Sequence, residues 1–178
     1  MNIILLGKNG QVGWELQRAL QPLGNVIPLD RHINTNGLCG DITNFTAIEQ
    51  LYAAIKPDVV INAAAYTAVD KAESNYEEAD LINHLAVMHL ANTSKHYNSL
   101  LINYSSDYVF DGTLDAPWSE TDSRMPINSY GKTKYDSDGN MIPGSHAGGY
   151  NHGQSLLIVG DEARISKSIE QKSEGKSK

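Results

Sequence analysis

Short apolar runs alternate with longer amphipathic segments over most of the chain. The apolar runs predict buried strands at residues 2–6, 26–29, 58–64 and 99–105. Runs that are apolar at nearly every position are typical of parallel strands covered on both faces. Strands that alternate with helices predict right-handed crossovers, so the pattern indicates an α/β fold with a doubly wound parallel sheet.

The three segments between these runs have the apolar spacing of helices. They cover residues 11–23, 43–56 and 70–97. Gly24 is a natural end for the first segment, while Thr43 is a candidate N-cap and Pro57 a stop for the second. We expect one helix in each segment and the strand order 3-2-1-4, which begins the dinucleotide-binding fold.

The pattern changes near the end of the chain. Residues 136–153 are rich in Gly, Ser, Asn and His, residues 156–159 form one more apolar run, and residues 161–178 are polar. Low apolar content predicts partial disorder. We therefore expect an incomplete Rossmann-like, NAD(P)-binding domain over residues 1–134 and an atypical, divergent tail over residues 135–178.

Composition and charge narrow the class of partner. The net charge of −7 argues against a nucleic-acid or membrane surface, because both attract positive protein. Cys39 is the single cysteine, so no intramolecular disulfide is possible, which fits a reducing cytoplasm. The first apolar run is too short for a membrane span and lacks the charged start of a signal peptide. We expect a cytoplasmic protein that binds neither nucleic acid nor membrane.

Three glycines follow the first predicted strand, at Gly7, Gly10 and Gly13. Gly7 permits a tight turn, Gly10 lets the backbone approach a pyrophosphate, and Gly13 lets the next helix pack on the strand. The helix N-terminus then presents N–H groups and a positive dipole end to the phosphates. The alternative is a strand-to-helix turn with only a structural role.

The end of the second predicted strand bears on cofactor preference. Asp30 lies where a carboxylate commonly binds the adenosine ribose hydroxyls, which favours NADH, although it is also a frequent turn residue. Arg31 and His32 follow directly and offer positive charge to a 2′-phosphate, so NADPH stays open. Asp41 and Ile42 either line the adenine or simply precede the next helix.

A second motif places Tyr130 and Lys134 four residues apart, on one face of a predicted helix. A lysine ammonium nearby favours the phenolate of a tyrosine, whose free pKa is near 10. Tyr130 can then protonate a carbonyl oxygen as hydride arrives, while Ser106 hydrogen-bonds the same oxygen. Together with the glycine turn, the motif predicts hydride transfer between a nicotinamide and a carbonyl. A structural tyrosine–lysine pair is the alternative.

Four phrases resemble the extended short-chain dehydrogenases and, among them, the dTDP-4-dehydrorhamnose reductases. These phrases are MNIILLGKNGQVGWEL, PDVVINAAAYTAVDKAE, YSSDYVFDG and YGKTK. The resemblance covers about residues 1–134. It implies reduction of the 4-keto group of dTDP-4-dehydro-6-deoxy-L-mannose to dTDP-L-rhamnose by NADPH or NADH, in the synthesis of dTDP-rhamnose and O-antigen polysaccharide.

The resemblance also implies roles for single residues. Tyr130 is then the catalytic acid, Lys134 its partner and Ser106 the hydroxyl. The implied cofactor contacts are Gly10, Gln11, Val12, Asp30, Asp41, Ile42, Ala65, Tyr66, Thr67 and, near the nicotinamide, Tyr104. Ser106 and Asp107 face the sugar, and Asn83 shapes the site from the long helical segment. Glu15 matches one ligand of a magnesium ion at a dimer contact in some members, which leaves Mg²⁺ and a homodimer open.

The residues after Lys134 depart from this family. The family continues the helix with an Ala-Gly-Glu phrase, whereas Asp, Ser and Gly follow Tyr135 here and weaken a helix. The chain ends at Lys178, so we expect the substrate domain to be absent. We expect the fourth strand either to lack its usual neighbour or to pair with residues 156–159 instead.

Two functions therefore remain open. One is the reductase, and the other is a truncated, non-catalytic dinucleotide-binding remnant of the same family. Asp107 and Tyr108 follow Ser106 where the sugar 4,6-dehydratases have Asp and Glu, which disfavours a dehydratase. An epimerase is harder to exclude.

Overall fold

The computed structural model describes residues 1–113, 118 and 122–135, together with the backbone of two later strands. The strands are β1 (Asn2–Leu6), β2 (Asn25–Leu29), β3 (Val59–Asn62), β4 (Leu100–Tyr104), β5 (Ser145–Tyr150) and β6 (Gln154–Val159). The α-helices are α1 (Gln11–Ala19), α2 (Phe45–Ile55), α3 (Val69–Ala72), α4 (Tyr76–Asp80), α5 (Ala86–His96) and α6 (Ser129–Lys134). Short 3₁₀ helices lie at Gln21–Leu23 and Asp107–Val109, and a π-helical turn lies at Leu81–Leu85.

The described strands form one six-stranded sheet in the order β2-β1-β3-β4-β6-β5. The first four strands are parallel, which confirms the α/β, Rossmann-like fold. The predicted order 3-2-1-4 is wrong, because β3 lies on the side of β1 away from β2. Residues 30–44 form no strand, so no third strand extends the sheet beyond β2. The order in which strands are added to the sheet therefore reverses between β1 and β3, although the two strands are parallel.

The apolar runs are buried because helices cover both faces of the sheet. On one face, Ile4 and Leu6 join a cluster with Ile48 and Leu51 of α2 and Leu90 of α5. On the other, alternate β1 residues pack with Leu20 and with Leu16 of α1. Burying each such side chain contributes about 1.5–3 kcal/mol, so this double cover stabilises the strand ends that position the site.

The start of α2 differs from the prediction by one residue. The N-cap is Asn44, whose side-chain oxygen accepts a hydrogen bond from the backbone N–H of Ala47 at 3.1 Å. Thr43 donates its backbone N–H and its hydroxyl to Asp41 Oδ1 instead, at 3.0 and 2.7 Å. The helix ends where predicted, at Lys56 with φ 48°, directly before Pro57.

The segment predicted as one long helix is divided into α3, α4, the π turn and α5. After α3 the backbone N–H of Asn75 and the hydroxyl of Ser74 both donate to Lys71 O, which closes a turn. Short polar side chains that bond to nearby backbone compete with helix in this way. The π turn carries Asn83, whose side chain reaches out of the helix to other segments. The π turn in the helical segment thus accompanies polar contacts of Asn83, which the spacing of the apolar residues does not reveal.

The fourth strand does pair with the late apolar run. β6 lies antiparallel to β4, with Leu101 opposite Val159 and Tyr104 opposite Leu156. β5 was not predicted, because its sequence has no apolar alternation. The partial disorder predicted for residues 161–178 lies outside the described residues. Within the described part of the chain, no helix is long and apolar enough to cross a membrane.

Candidate active site

The carboxyl ends of three parallel strands meet at one edge of the sheet. Leu6 of β1 is in register with Asn62 of β3, which is in register with Asn103 of β4. The glycine turn, the loop at residues 63–67 and Ser106 follow these strand ends. Open α/β sheets bind ligands outside the carboxyl ends of their strands, at the point where the strand order reverses. That point lies between β1 and β3.

The three glycines of the first turn differ in the space that a Cβ would find at each of them. Gly7 has φ +81°, and a Cβ there would lie 2.6 Å from the Ala64 nitrogen. A Cβ on Gly13 would collide with the carbonyl of Gly7. A Cβ on Gly10 would meet only Gly7 O, at an ordinary 3.5 Å. The fold itself thus needs Gly7 and Gly13, whereas Gly10 leaves open space for close approach of a ligand.

The N-terminus of α1 is suited to an anion. Its N-cap, Gly10, supplies no side-chain hydrogen bond, and the first turn holds no acidic residue. The N–H groups of the first turn of a helix have no partner within the helix. Gln11 and Val12, the predicted pyrophosphate contacts, lie in this first turn at the positive end of the helix dipole.

Asp30 is held in a small polar network beside the glycine turn. It accepts hydrogen bonds from the backbone N–H of His32 at 2.8 Å and from Asn9 Nδ2 at 3.0 Å. Lys8 Nζ lies 3.5 Å from Asp30 Oδ2. The hydrogen bond from His32, with those from Asn9 and the charge of Lys8, lowers the pKa of the Asp30 carboxyl. Arg31, the predicted cofactor contact next to Asp30, is exposed.

The sequence did not single out Lys8 or Asn9. Both lie within the glycine turn, and their contact with Asp30 joins residues at the ends of neighbouring strands. The signal available in the sequence was the lysine directly after Gly7. Lys8 places a positive charge at the ribose end of the predicted site in addition to the charge of Arg31.

The side chains of Asp41 and Ile42 make contacts within the protein. Asp41 Oδ1 accepts both hydrogen bonds from Thr43, and Ile42 is 4% exposed within the core cluster of α2 and α5. Their side chains are thus used inside the protein. The cofactor contacts at these two residues stay a prediction.

The loop that follows β3 is fixed from both sides. Asn62, which is buried, accepts a hydrogen bond from the Ala64 N–H at 3.1 Å and donates to Asn103 Oδ1 at 2.7 Å. Asn83 accepts from the Tyr66 N–H at 2.9 Å and donates to Tyr66 O at 3.1 Å. The three predicted contact residues Ala65, Tyr66 and Thr67 therefore lie in a loop of defined shape, beside Gly7.

Ser106 and Tyr130 come together although they are distant in sequence. The two residues are 7% and 8% exposed, and the Ser106 hydroxyl is close enough to lower the pKa of Tyr130. The Ser106 hydroxyl also donates to Asp107 Oδ1 at 3.1 Å and accepts from the Tyr108 N–H at 3.2 Å. The Tyr108 ring packs edge-on against the Tyr130 ring, with centroids 5.6 Å apart. The fold thus joins the two hydroxyls that the sequence analysis assigned to one carbonyl oxygen.

Lys134 lies one helical turn from Tyr130 and donates from Nζ to Tyr104 O at 3.3 Å. Burial of the ammonium group lowers the pKa of Lys134 to about 8. Burial also raises the pKa of Tyr130, although the neighbouring Ser106 hydroxyl opposes the shift, and the negative charge of Asp107 raises the pKa further. The expected lowering of the Tyr130 pKa by Lys134 is thus not seen. Burial dominates, and the ammonium group is directed at Tyr104 O.

Other contacts fix α6 on the rest of the protein. Asn128 caps the helix by accepting from the Gly131 N–H at 2.7 Å. A Cβ on Gly131 would collide with Tyr108 O, so the helix packs closely on the 3₁₀ turn after Ser106. Asn83 Nδ2 donates to Thr133 Oγ1 at 3.1 Å, which ties α6 to the loop after β3. The family resemblance pointed to Asn83, whereas no pattern in the sequence pointed to Asn128.

The predicted metal ligand has another partner. Glu15 forms an exposed ion pair with Arg18, at 2.7 Å, on the surface of α1. Residues 1–113, 118 and 122–135 contain no group of three His, Cys, Asp or Glu side chains that could hold a metal ion. Nothing in this part of the chain supports Mg²⁺ at Glu15.

Comparison with known proteins gives one family. The family described as the RmlD substrate binding domain matches residues 1–142. The dTDP-4-dehydrorhamnose reductase of Salmonella typhimurium is 52% identical over 134 residues, which are 75% of this chain and 44% of that protein. The reductase of the same name from Escherichia coli K12 has the same identity and coverage.

Solved structures agree with these relatives. A dTDP-4-dehydrorhamnose reductase from Clostridium acetobutylicum has a TM-score of 0.69 and 40% identity, over 78% of this chain and 48% of that chain. The reductase from Bacillus anthracis, in complex with NADP, has a TM-score of 0.69 and 35% identity, over 77% of this chain and 47% of that chain. The chain therefore spans less than half the length of the relatives it matches.

Proposed function

The chain belongs to the family described as the RmlD substrate binding domain, and from that premise we propose that it serves a nicotinamide-dependent reduction of a dTDP-linked 4-keto sugar. The proposed substrate is dTDP-4-dehydrorhamnose, for which the relatives are named. The product is dTDP-L-rhamnose. Because the chain covers 44% of the Salmonella relative, the activity of the whole relative is carried over here as part of the proposal.

The observation that carries the proposal is the pair of buried, neighbouring side chains Ser106 and Tyr130, with Lys134 one turn further along α6. A phenol is protonated at neutral pH at its ordinary pKa near 10, and burial raises the pKa of Tyr130 further, so Tyr130 holds the proton that a keto oxygen requires. Ser106 can turn its hydroxyl from Asp107 Oδ1 to the same keto oxygen and give it a second hydrogen bond. The pair lies at the sheet edge where parallel α/β sheets bind ligands.

The same sheet edge suits NADPH or NADH. Gly10 leaves room for a pyrophosphate, and the first turn of α1 offers N–H groups. Asp30 follows β2 directly and lies beside Lys8 of the glycine turn. The bound nucleotide supplies the hydride. Lys134, with a pKa of about 8, is mostly protonated at neutral pH and can donate to a ribose hydroxyl. Asp30 favours ribose hydroxyls, whereas Lys8 and Arg31 offer charge to a 2′-phosphate, so we propose that both nucleotides bind.

Turnover of the dTDP-sugar with NADPH and with NADH tests the proposal. Replacing Tyr130 by Phe removes the proton donor and keeps the ring, so we expect a loss of about 10²-fold or more. Tyr108→Phe is the matched control, because that ring packs against Tyr130 and its hydroxyl has no proposed role. A wild-type rate no higher than that of Tyr130→Phe would contradict the proposal.

A second candidate is a dinucleotide-binding protein without turnover. It is favoured by the coverage of 44% of the Salmonella relative, since substrate contacts in a relative can lie in the part that this chain does not match. It predicts saturable binding of nucleotide by the wild type and by Tyr130→Phe alike, with no consumption of the dTDP-sugar. The turnover assay distinguishes the two candidates.

A further inference from the structure

Helix α6 carries both Tyr130 and Lys134, yet it spans only Ser129–Lys134. Six residues are fewer than two helical turns, and isolated helices of that length are unstable in water. After Lys134 the backbone of Tyr135 is extended. The position of α6 must therefore come from contacts with other segments.

One such contact is made by a carboxylate from a distant part of the chain. Glu73 follows α3 and accepts two hydrogen bonds from Ser129, the first residue of α6. The Ser129 N–H donates to Glu73 Oε1 at 2.8 Å, and the Ser129 hydroxyl donates to Glu73 Oε2 at 2.7 Å. Both carboxylate oxygens are thus used on one residue.

The electrostatics of this contact are favourable. The N-terminus of a helix carries partial positive charge and unpaired N–H groups, which a carboxylate satisfies. Hydrogen bonds to an ionised acceptor are also stronger than neutral ones. The hydrogen bond from the Ser129 N–H lowers the pKa of Glu73, followed by that from its hydroxyl, so the carboxyl is ionised at neutral pH.

The contact also links α6 to the loop that follows β3. Tyr66 and Glu73 belong to one continuous segment, which bonds to α6 directly through Glu73 and indirectly through Asn83. At the near end, Glu73 holds Ser129. At the far end, Asn83 joins Tyr66 to Thr133. The segment that contains the proposed cofactor loop is therefore the support on which α6 rests.

We propose that Glu73 is a positioning residue, which fixes the start of α6 and thereby sets the direction in which Tyr130 and Lys134 face the reacting groups. The inference rests on the proposed function, because the placement of α6 matters for chemistry only if those two residues act. The claim that Glu73 fixes the start of α6 does not require a bound cofactor, so it is tested on the free protein.

The test compares Glu73→Ala and Ser129→Ala with Glu77→Gln. Glu77 is exposed on the neighbouring helix α4. Glu77→Gln removes one negative charge, as Glu73→Ala does. Ser129→Ala keeps the backbone hydrogen bond to Glu73 and removes the hydroxyl. Two measurements are made on the free proteins, namely amide hydrogen exchange across α6 and the pKa of Lys134. The pKa is obtained from the pH dependence of Lys134 acetylation, located by mass spectrometry.

We expect Glu73→Ala to speed exchange at Gly131 and Lys132 by about threefold or more, with Ser129→Ala between it and wild type. The pKa of Lys134 should rise from about 8 toward that of an exposed lysine, because α6 spends time away from its packed position. A merely stabilising role would speed exchange throughout the sheet as well. Exchange and pKa values equal to those of Glu77→Gln would overturn the proposal.

Turnover separates this inference from the proposed function. If the wild type reduces the dTDP-sugar, Glu73→Ala should lower kcat, because Tyr130 and Lys134 then spend less time facing the reacting groups. If the wild type shows no turnover, the proposed function fails, but the exchange and acetylation results still decide whether Glu73 positions α6. A Glu73→Ala enzyme with unchanged kcat and a freed α6 would overturn the functional half of the inference.

Discussion

At the scale of single residues, the site depends on groups whose ordinary ionisation has been changed by burial. Tyr130 is held as a phenol, and Lys134 loses much of its basicity. The motif in the sequence identifies both residues but not the direction of these shifts. Spacing along a helix shows which side chains share a face, whereas a pKa depends on solvent exposure and on partners far away in sequence.

The lowered pKa of Lys134 predicts a pH-dependent cost to stability. A base whose pKa falls from about 10.5 to about 8 on folding binds fewer protons when folded, between those two values. The stability of the wild type should therefore rise with pH through this window, while the full cost is present below it. Lys134→Met removes the buried charge, and we expect it to stabilise the free protein at neutral pH by about 1–3 kcal/mol.

Denaturant unfolding at several pH values checks this expectation. The difference between wild type and Lys134→Met should shrink as the pH rises from about 8 to about 10.5. Lys95→Met, at an exposed position of α5, is the control for loss of one positive charge. A difference that stays constant with pH, or a destabilised Lys134→Met at neutral pH, would contradict the assigned environment of Lys134.

At the scale of elements, the glycine turn predicts two opposite outcomes of the same substitution. Gly7→Ala places a Cβ against the Ala64 backbone at φ +81°, so it should destabilise the fold by about 2–4 kcal/mol. Gly10→Ala meets only Gly7 O at 3.5 Å and should leave stability nearly unchanged. It should weaken nucleotide binding by about tenfold, because the added methyl occupies the space for the pyrophosphate.

Thermal unfolding and nucleotide titration of the two variants provide the check. A Gly10→Ala protein with normal stability and normal binding would show that the glycine turn is structural only. Equal destabilisation by both substitutions would show that the open space beside Gly10 is incorrectly placed.

The sequence predicted the elements of the parallel sheet better than their arrangement. Apolar runs identified β1 to β4, since burial on both faces leaves a direct trace in composition. The order of the strands was not predictable in this way, because a run does not record which strand lies beside it. The N-cap at Asn44 was missed by one residue, since Thr43 and Asn44 are both good caps and the choice depends on Asp41.

Long-range polar contacts were the least predictable part of the site. Glu73 is exposed and Ser129 is half-buried, and neither shows a periodicity or motif that would pair them. Asn83 was pointed out by family resemblance, and its π turn was not expected. Such contacts join segments whose proximity is created by the fold, so they emerge only once the fold is known.

At the scale of the whole molecule, the described residues contain every part of the candidate site discussed above, although the chain spans less than half of its relatives. The parallel strands and the helices α1 to α6 position the glycine turn, the Ser106–Tyr130 pair and Lys134 at one sheet edge. Beyond β4 the sheet continues with the antiparallel strand β6, which covers an edge that would otherwise offer unpaired backbone groups. Nucleotide binding is thus the part of the proposed function that we expect this chain to show by itself.

Titration of the purified chain with NADPH and with NADH, followed by nucleotide fluorescence, is the decisive measurement. Circular dichroism on the same sample establishes that the chain is folded. We predict saturable binding of both nucleotides with one site per chain, because Asp30 and Lys8 together suit either ribose. A folded chain that binds neither nucleotide at any accessible concentration would contradict the assignment of this sheet edge as a nicotinamide site, and with it the proposed reductase.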